Sequence, residues 1–203
     1  MLMTVRHARA RADRSLRTAP QITREVRSAG LRFSPTVLPA DRQLVLHEIE
    51  LARPEARRLI AVADGLVTIY VGDTSASGAD TIGLTVSTRD GFTVTLNLAA
   101  AYASGGERAV QRLVLHELGH VVDRALVKPD LAQRLDAPIP AGYGCDPVQP
   151  EIGCAPRPER FAETFAKWAT GDIGFNLPIG YKVAPPASLE DWGAQLVSGI
   201  GAA

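Results

Sequence analysis

Residues 108–127 read RAVQRLVLHELGHVVDRALV, with apolar side chains recurring every three or four positions and no proline. That period is the signature of an amphipathic α-helix, here about 30 Å long, around which the rest of the chain must pack. Just upstream, Ser104-Gly105-Gly106-Glu107 has the S-x-x-E spacing of a capping box, which predicts the helix start. The pentapeptide LVLHE inside this helix, residues 113–117, also occurs at 44–48, but the two copies diverge at once. The first continues IEL and the second LGH, completing His116-Glu117-Leu118-Gly119-His120.

Helical residues four apart face the same way, so the imidazoles of His116 and His120 can reach one metal ion. Glu117 then lies beside the open coordination position, where it can take a proton from water. The first copy has Leu51 where the second histidine would be, so His47 is read as structural. Catalytic zinc takes three protein ligands, and the other two histidines, His7 and His47, are badly placed to supply the third. A carboxylate is expected instead. Asp123 would have to bend back along its own helix, which suits a helix-surface or supporting role. The segment PERFAETFAKWA reads as a later helix closed by Gly171, with Glu159 and Glu163 on one face. Its Phe161, Ala162, Phe165 and Ala166 say that it packs against something. Such a pair can supply one ligand and one carboxylate that orients a ligand histidine.

The surrounding pattern is α+β. A helix is predicted from Asp41, a second over PEARRLIAVAD from Pro54, and a strand at LVTIYV (66–71). TIGLTVS and FTVTLNL, separated by TRDG, predict a hairpin. Lys128–Pro158 reads as a Pro/Gly-rich loop, and the tail beyond Pro178 shows only Tyr181 and Trp192 as anchors.

HELGHVVD followed by PERFAETF resembles the gluzincin metallopeptidases, and more narrowly the catalytic domain of anthrax lethal factor and the Pro-Pro endopeptidases. The resemblance spans roughly residues 90–170. It implies a zincin-like fold: a small twisted sheet, an HExxH helix and a following glutamate-bearing helix. It further implies a Zn2+ cofactor with His116, His120 and Glu159 as ligands, Glu117 as general base, and Glu163 supporting a ligand histidine. The family's oxyanion tyrosine falls in a Tyr-Gly pair, which here is Tyr143-Gly144. Sixteen positions separate Tyr143 from Glu159, a longer gap than the family's, and CDPVQPEIGC fits a stapled insertion; Tyr181 is the reserve. The implied function is zinc-dependent endopeptidase, acting on peptide or protein substrates. The alternatives are a non-catalytic zincin-like binding protein and an effector or toxin protease of narrow substrate range. The strand FTVTLNL, just before the active-site helix, is a candidate for pairing with an extended peptide.

Formal net charge is zero, so neither nucleic acid nor membrane is expected as a partner, and the chain is read as a monomer. Charge is nonetheless uneven. Residues 1–32 carry eight arginines against Asp13 and Glu25, and 1–35 is read as a poorly ordered basic leader before a single domain over 36–203. This leader lacks the apolar run of a secretory signal, and no stretch has the roughly 18 uninterrupted apolar residues of a spanning helix. Cys145 and Cys154, nine apart in the loop, suggest a disulfide and hence a secreted or extracytoplasmic setting, against which the absent signal argues.

Overall fold

The computed structural model describes residues 30–63, 65–78, 80–140, 155–174 and 183–201. Within them the chain is α+β, with six α-helices and one four-stranded mixed sheet. The strands are β1 (Arg32–Phe33), β2 (Val67–Val71), β3 (Gly83–Thr88) and β4 (Gly91–Leu96). Their spatial order is β1-β2-β4-β3, with β1, β2 and β4 parallel and β3 antiparallel to β4. The predicted hairpin forms where expected. Thr88 pairs with Gly91 across Arg89-Asp90, and Gly91 takes φ 139°, open to glycine alone at little cost. Any side chain there would also strike the backbone of Leu66, whose carbonyl accepts from Phe92 N at 2.7 Å.

Two expectations change at the sheet. Residues 30–35 belong to the fold rather than to a leader, because β1 pairs with β2 and Leu31 is buried in the core. The basic composition hid this, since only Leu31 and Phe33 carry the apolar signal. FTVTLNL cannot take an added peptide strand, because β4 already has β2 on one side and β3 on the other. Among the described residues the sheet is bounded by the short β1 on one side and by β3 on the other, and β3 is the longer edge.

The helices are α1 (Pro39–Glu50), α2 (Pro54–Val62), α3 (Leu98–Leu126), α4 (Pro129–Asp136), α5 (Arg157–Thr170) and α6 (Leu189–Ile200). α3 starts nearly two turns before the predicted capping box. Asn97 caps it by accepting from Ala100 N, while the Ser104 hydroxyl turns back to the Ala100 carbonyl. The Gly-Gly pair appears instead as a kink, with non-helical backbone at Gly105 and at Gly106 (φ 66°). α4 was not expected, since its short length and leading proline in a Pro/Gly-rich stretch resemble a loop. It forms because Pro129 opens it and Leu131 and Leu135, four apart, bury against the core. α5 ends as predicted, on Gly171 in the left-handed conformation.

α3 is the central element, packed on α1, α2, β3, β4 and α5. α5 is buried nearly all round because each of its faces has a partner. Phe161, Phe165 and Trp168 form one aromatic cluster with Trp192 of α6, at centroid separations between 5.4 and 6.4 Å. The Trp192 indole donates to the Leu135 carbonyl at 3.0 Å, which locks α4 to α6. The face of α5 that carries the glutamates is thereby turned onto α3. No helix among the described residues is long and apolar enough to cross a membrane.

Candidate metal centre

α3 and α5 run antiparallel, and their backbones come close together at Gly119. A Cβ on Gly119 would sit 3.0 Å from Ala162 Cα and 3.3 Å from the Ala162 carbonyl oxygen. With backbone this close to backbone, the side chains on either side of the contact meet directly, and they meet in opposite charge. Asp123 of α3 is buried and accepts a forked pair of hydrogen bonds from Arg157 at the start of α5, one of them at 2.9 Å. One turn along, Glu159 Oε2 faces Nε2 of His120 at 3.4 Å and Nε2 of His116 at 3.1 Å. Next, Glu163 Oε2 faces Nδ1 of His116 at 3.3 Å, while its Oε1 accepts from Arg112 at 2.7 Å and from Lys167 at 3.0 Å. At the far end Arg112 and Arg108 of α3 both meet Asp172, just beyond α5.

Thus the structure brings His116, His120 and Glu159 together, with candidate ligand atoms all within 4.8 Å of one another. The two imidazoles stand edge to face, 4.9 Å apart and 86° between planes, so their Nε2 atoms converge without the rings stacking. Two imidazole nitrogens and one carboxylate oxygen are the donor set that suits zinc, and all three point to one place. An excess of buried acceptors around that place asks for a positive centre, either a proton or a cation. Burial disfavours the charged form of His116, but its contacts with Glu159 and Glu163 and the charge of Glu117 outweigh this and push the imidazole up to about 10. Burial likewise opposes ionisation of Glu159, yet the two histidines hold it well below the usual carboxylate range. The residues therefore fit a divalent cation. Nδ1 of His120 is buried and has no hydrogen-bond partner among the described residues.

Glu117 turns away from α5 toward the sheet. The Thr85 hydroxyl on β3 donates to its Oε2 at 2.7 Å in a buried contact. Gly83, two residues earlier on the same face of β3, leaves room for the carboxylate. A Cβ there would come within 2.7 Å of Glu117 Cδ and 2.6 Å of Leu113 Cδ1. β3 also shields its own edge at one point, where Arg124 of α3 donates to the Thr85 carbonyl at 2.8 Å.

The sequence reading passed over several residues that surround the site: Thr85, Gly83, Gly119, Arg112 and Lys167. Asp123 is not on the helix surface: it is buried and paired with Arg157. His47 is exposed on the half-buried α1, and in the first LVLHE copy it is Glu48 that is buried. Tyr143, Tyr181, Cys145 and Cys154 lie outside the described residues. Comparison with protein-family models, with curated proteins and with solved structures finds no match.

Proposed function

We propose that the chain is a zinc-dependent endopeptidase with a zincin-like fold, akin to the lethal-factor-like gluzincins. The observation that carries this reading is the convergence of His116, His120 and Glu159 from two helices, with the separate carboxylate of Glu117 one residue from the first ligand. His116, His120 and Glu159 would hold a zinc ion, which when bound would supply Lewis acidity toward water and a substrate carbonyl. Glu117 accepts the proton of the attacking water and returns it to the leaving amine. Its Oε2 is held by Thr85, which leaves Oε1 as the oxygen for proton transfer. Glu163 keeps the His116 proton on Nδ1, so that Nε2 is the ligating nitrogen. By resemblance alone, Tyr143 is the group that steadies the oxyanion, with Tyr181 in reserve. The substrate is an extended peptide lying along the open edge of β3, the strand that also contacts Glu117.

A second reading has its own observation. The facing charges on α3 and α5 also satisfy one another as an ion-pair seam with a protonated His116, and such a seam would serve a non-catalytic binding protein. Both readings meet one test. A diverse peptide library is incubated with zinc-loaded wild type and with Glu117→Gln, and products are read by mass spectrometry. Cleavage by wild type alone supports the peptidase. If the folded protein takes up no zinc, the seam is the better account. Zinc uptake without cleavage points to a binding protein or to a protease confined to one protein substrate.

A further inference from the structure

Behind His116 lies a group of buried charges that the proposed reaction does not consume. Arg112 is 3% exposed and Lys167 1%, yet both direct a cationic donor at the same oxygen, Oε1 of Glu163. Each is anchored a second time. Arg112 donates to the Asp172 carbonyl, and Lys167 donates to the Val183 carbonyl. Removing two cations from water carries a large desolvation penalty, and apolar residues of similar volume would fill the same space without it. Packing alone therefore does not account for them.

Their geometry does. A carboxylate has two equivalent oxygens and turns readily about its terminal torsion. Left to itself, Glu163 would offer His116 either oxygen or neither. With one clamp from α3 and one from α5 on Oε1, the torsion is fixed and Oε2 faces Nδ1 of His116. We infer that Arg112 and Lys167 are positioning residues for metal binding, acting through Glu163 to hold the His116 ring in the tautomer and orientation that present Nε2 to the ion. This rests on the metal reading of His116, His120 and Glu159. It goes further in tying metal affinity to two residues too far along their helices to touch the ion.

The test is a double-mutant cycle read by zinc affinity rather than by turnover. Wild type, Lys167→Met, Glu163→Gln and the double variant are titrated with Zn2+ against a chromophoric chelator, with circular dichroism confirming that each is folded. Lys167→Met is expected to weaken zinc binding about tenfold, as is usual when a partner of a ligand histidine is disturbed. In the Glu163→Gln background the same substitution is expected to change affinity less than twofold, because the group it acts through is gone. A merely structural lysine would cost the same in both backgrounds. An undiminished penalty beside Gln at 163, or no penalty in wild type, overturns the inference while leaving the metal site standing. Folded wild type that binds no zinc overturns both together. Should Lys167→Met fail to fold, Arg112→Gln takes its place in the same cycle with the same expected outcome.

Discussion

Gly119 sits in the middle of the HExxH run, where a glycine is costly to a helix by about 1 kcal/mol relative to alanine. If the residue were a mere defect, Gly119→Ala would stabilise the protein by about that amount. The packing predicts the opposite sign. The new Cβ would lie 3.0 Å from Ala162 Cα, 3.2 Å from Phe165 Cδ1 and 3.3 Å from the Ala162 carbonyl oxygen. Two of those three atoms are backbone, so relief requires α5 to move as a body, by several tenths of an ångström. Overpacking of this kind costs about 1–3 kcal/mol, which leaves a net loss of roughly 0–2 kcal/mol after the helix gain. For a chain of this size that is a fall in Tm of up to about 8 °C. The larger effect falls on the site. Glu159 and Glu163 flank Ala162 on α5, whereas metal–ligand distances tolerate about 0.2 Å. Zinc affinity should drop at least tenfold. The assay pairs thermal unfolding of the metal-free protein with a chelator-competition titration. A variant that unfolds at higher temperature and binds zinc like wild type would refute the argument that this contact sets the spacing of the two helices.

Three further outcomes follow from single groups. Glu159→Ala should abolish stoichiometric zinc binding, measured by metal content after gel filtration. Glu163→Ala should lower affinity by about ten- to a hundredfold without abolishing it, and the reverse order would exchange their roles. Glu48, in the first LVLHE copy, is 3% exposed, and burial together with the nearby charge of Glu107 pushes its carboxyl from 4.5 to about 7. The folded state thus holds the proton more tightly than the unfolded chain. Its contribution is full below pH 4.5 and is lost as pH rises through about 7, at most about 3 kcal/mol in all. Denaturant unfolding of Glu48→Gln should therefore match wild type near pH 4 and exceed it by about 1–3 kcal/mol at pH 8. Parallel curves for the two proteins would rule the buried carboxyl out as the cause.

How much of this was legible in the sequence depends on how far apart the interacting residues lie. His116 and His120 are four apart on one helix, and so are Glu159 and Glu163, so local periodicity suffices to align each pair. The hairpin and the α5 stop were equally local, one set by turn residues and the other by a glycine. The N-terminal strand was lost because two paired residues carry too little pattern, and α4 because eight residues beginning with proline look like loop. Thr85 and Gly83 meet Glu117 only through the packing of β3 on α3, some thirty residues away in the chain, and no local signal marks either.

Arg112 and Lys167 are a different matter, because the rule that found the histidines also reaches them. Arg112, His116 and His120 step by four along α3, and Glu159, Glu163 and Lys167 step by four along α5. Laid antiparallel, the two rows put His120 on Glu159, His116 between Glu159 and Glu163, and Arg112 beside Glu163, which are the contacts observed. Each row taken alone reads as a solvated stripe of charge on a helix. The apolar residues interleaved with the second row, Phe161, Phe165 and Trp168, do not exclude that, since any amphipathic surface helix pairs an apolar stripe with a charged one; the burial of Glu163 and Lys167 in the structure does. A charged stripe on a helix buried all round must meet its complement. In this chain the complement that fits it in spacing and sign is the row containing the HExxH pair. That match makes the candidate metal ligands and their buried clamp parts of one interface, so on the proposed reading a substitution anywhere along it should be felt first as a change in zinc affinity.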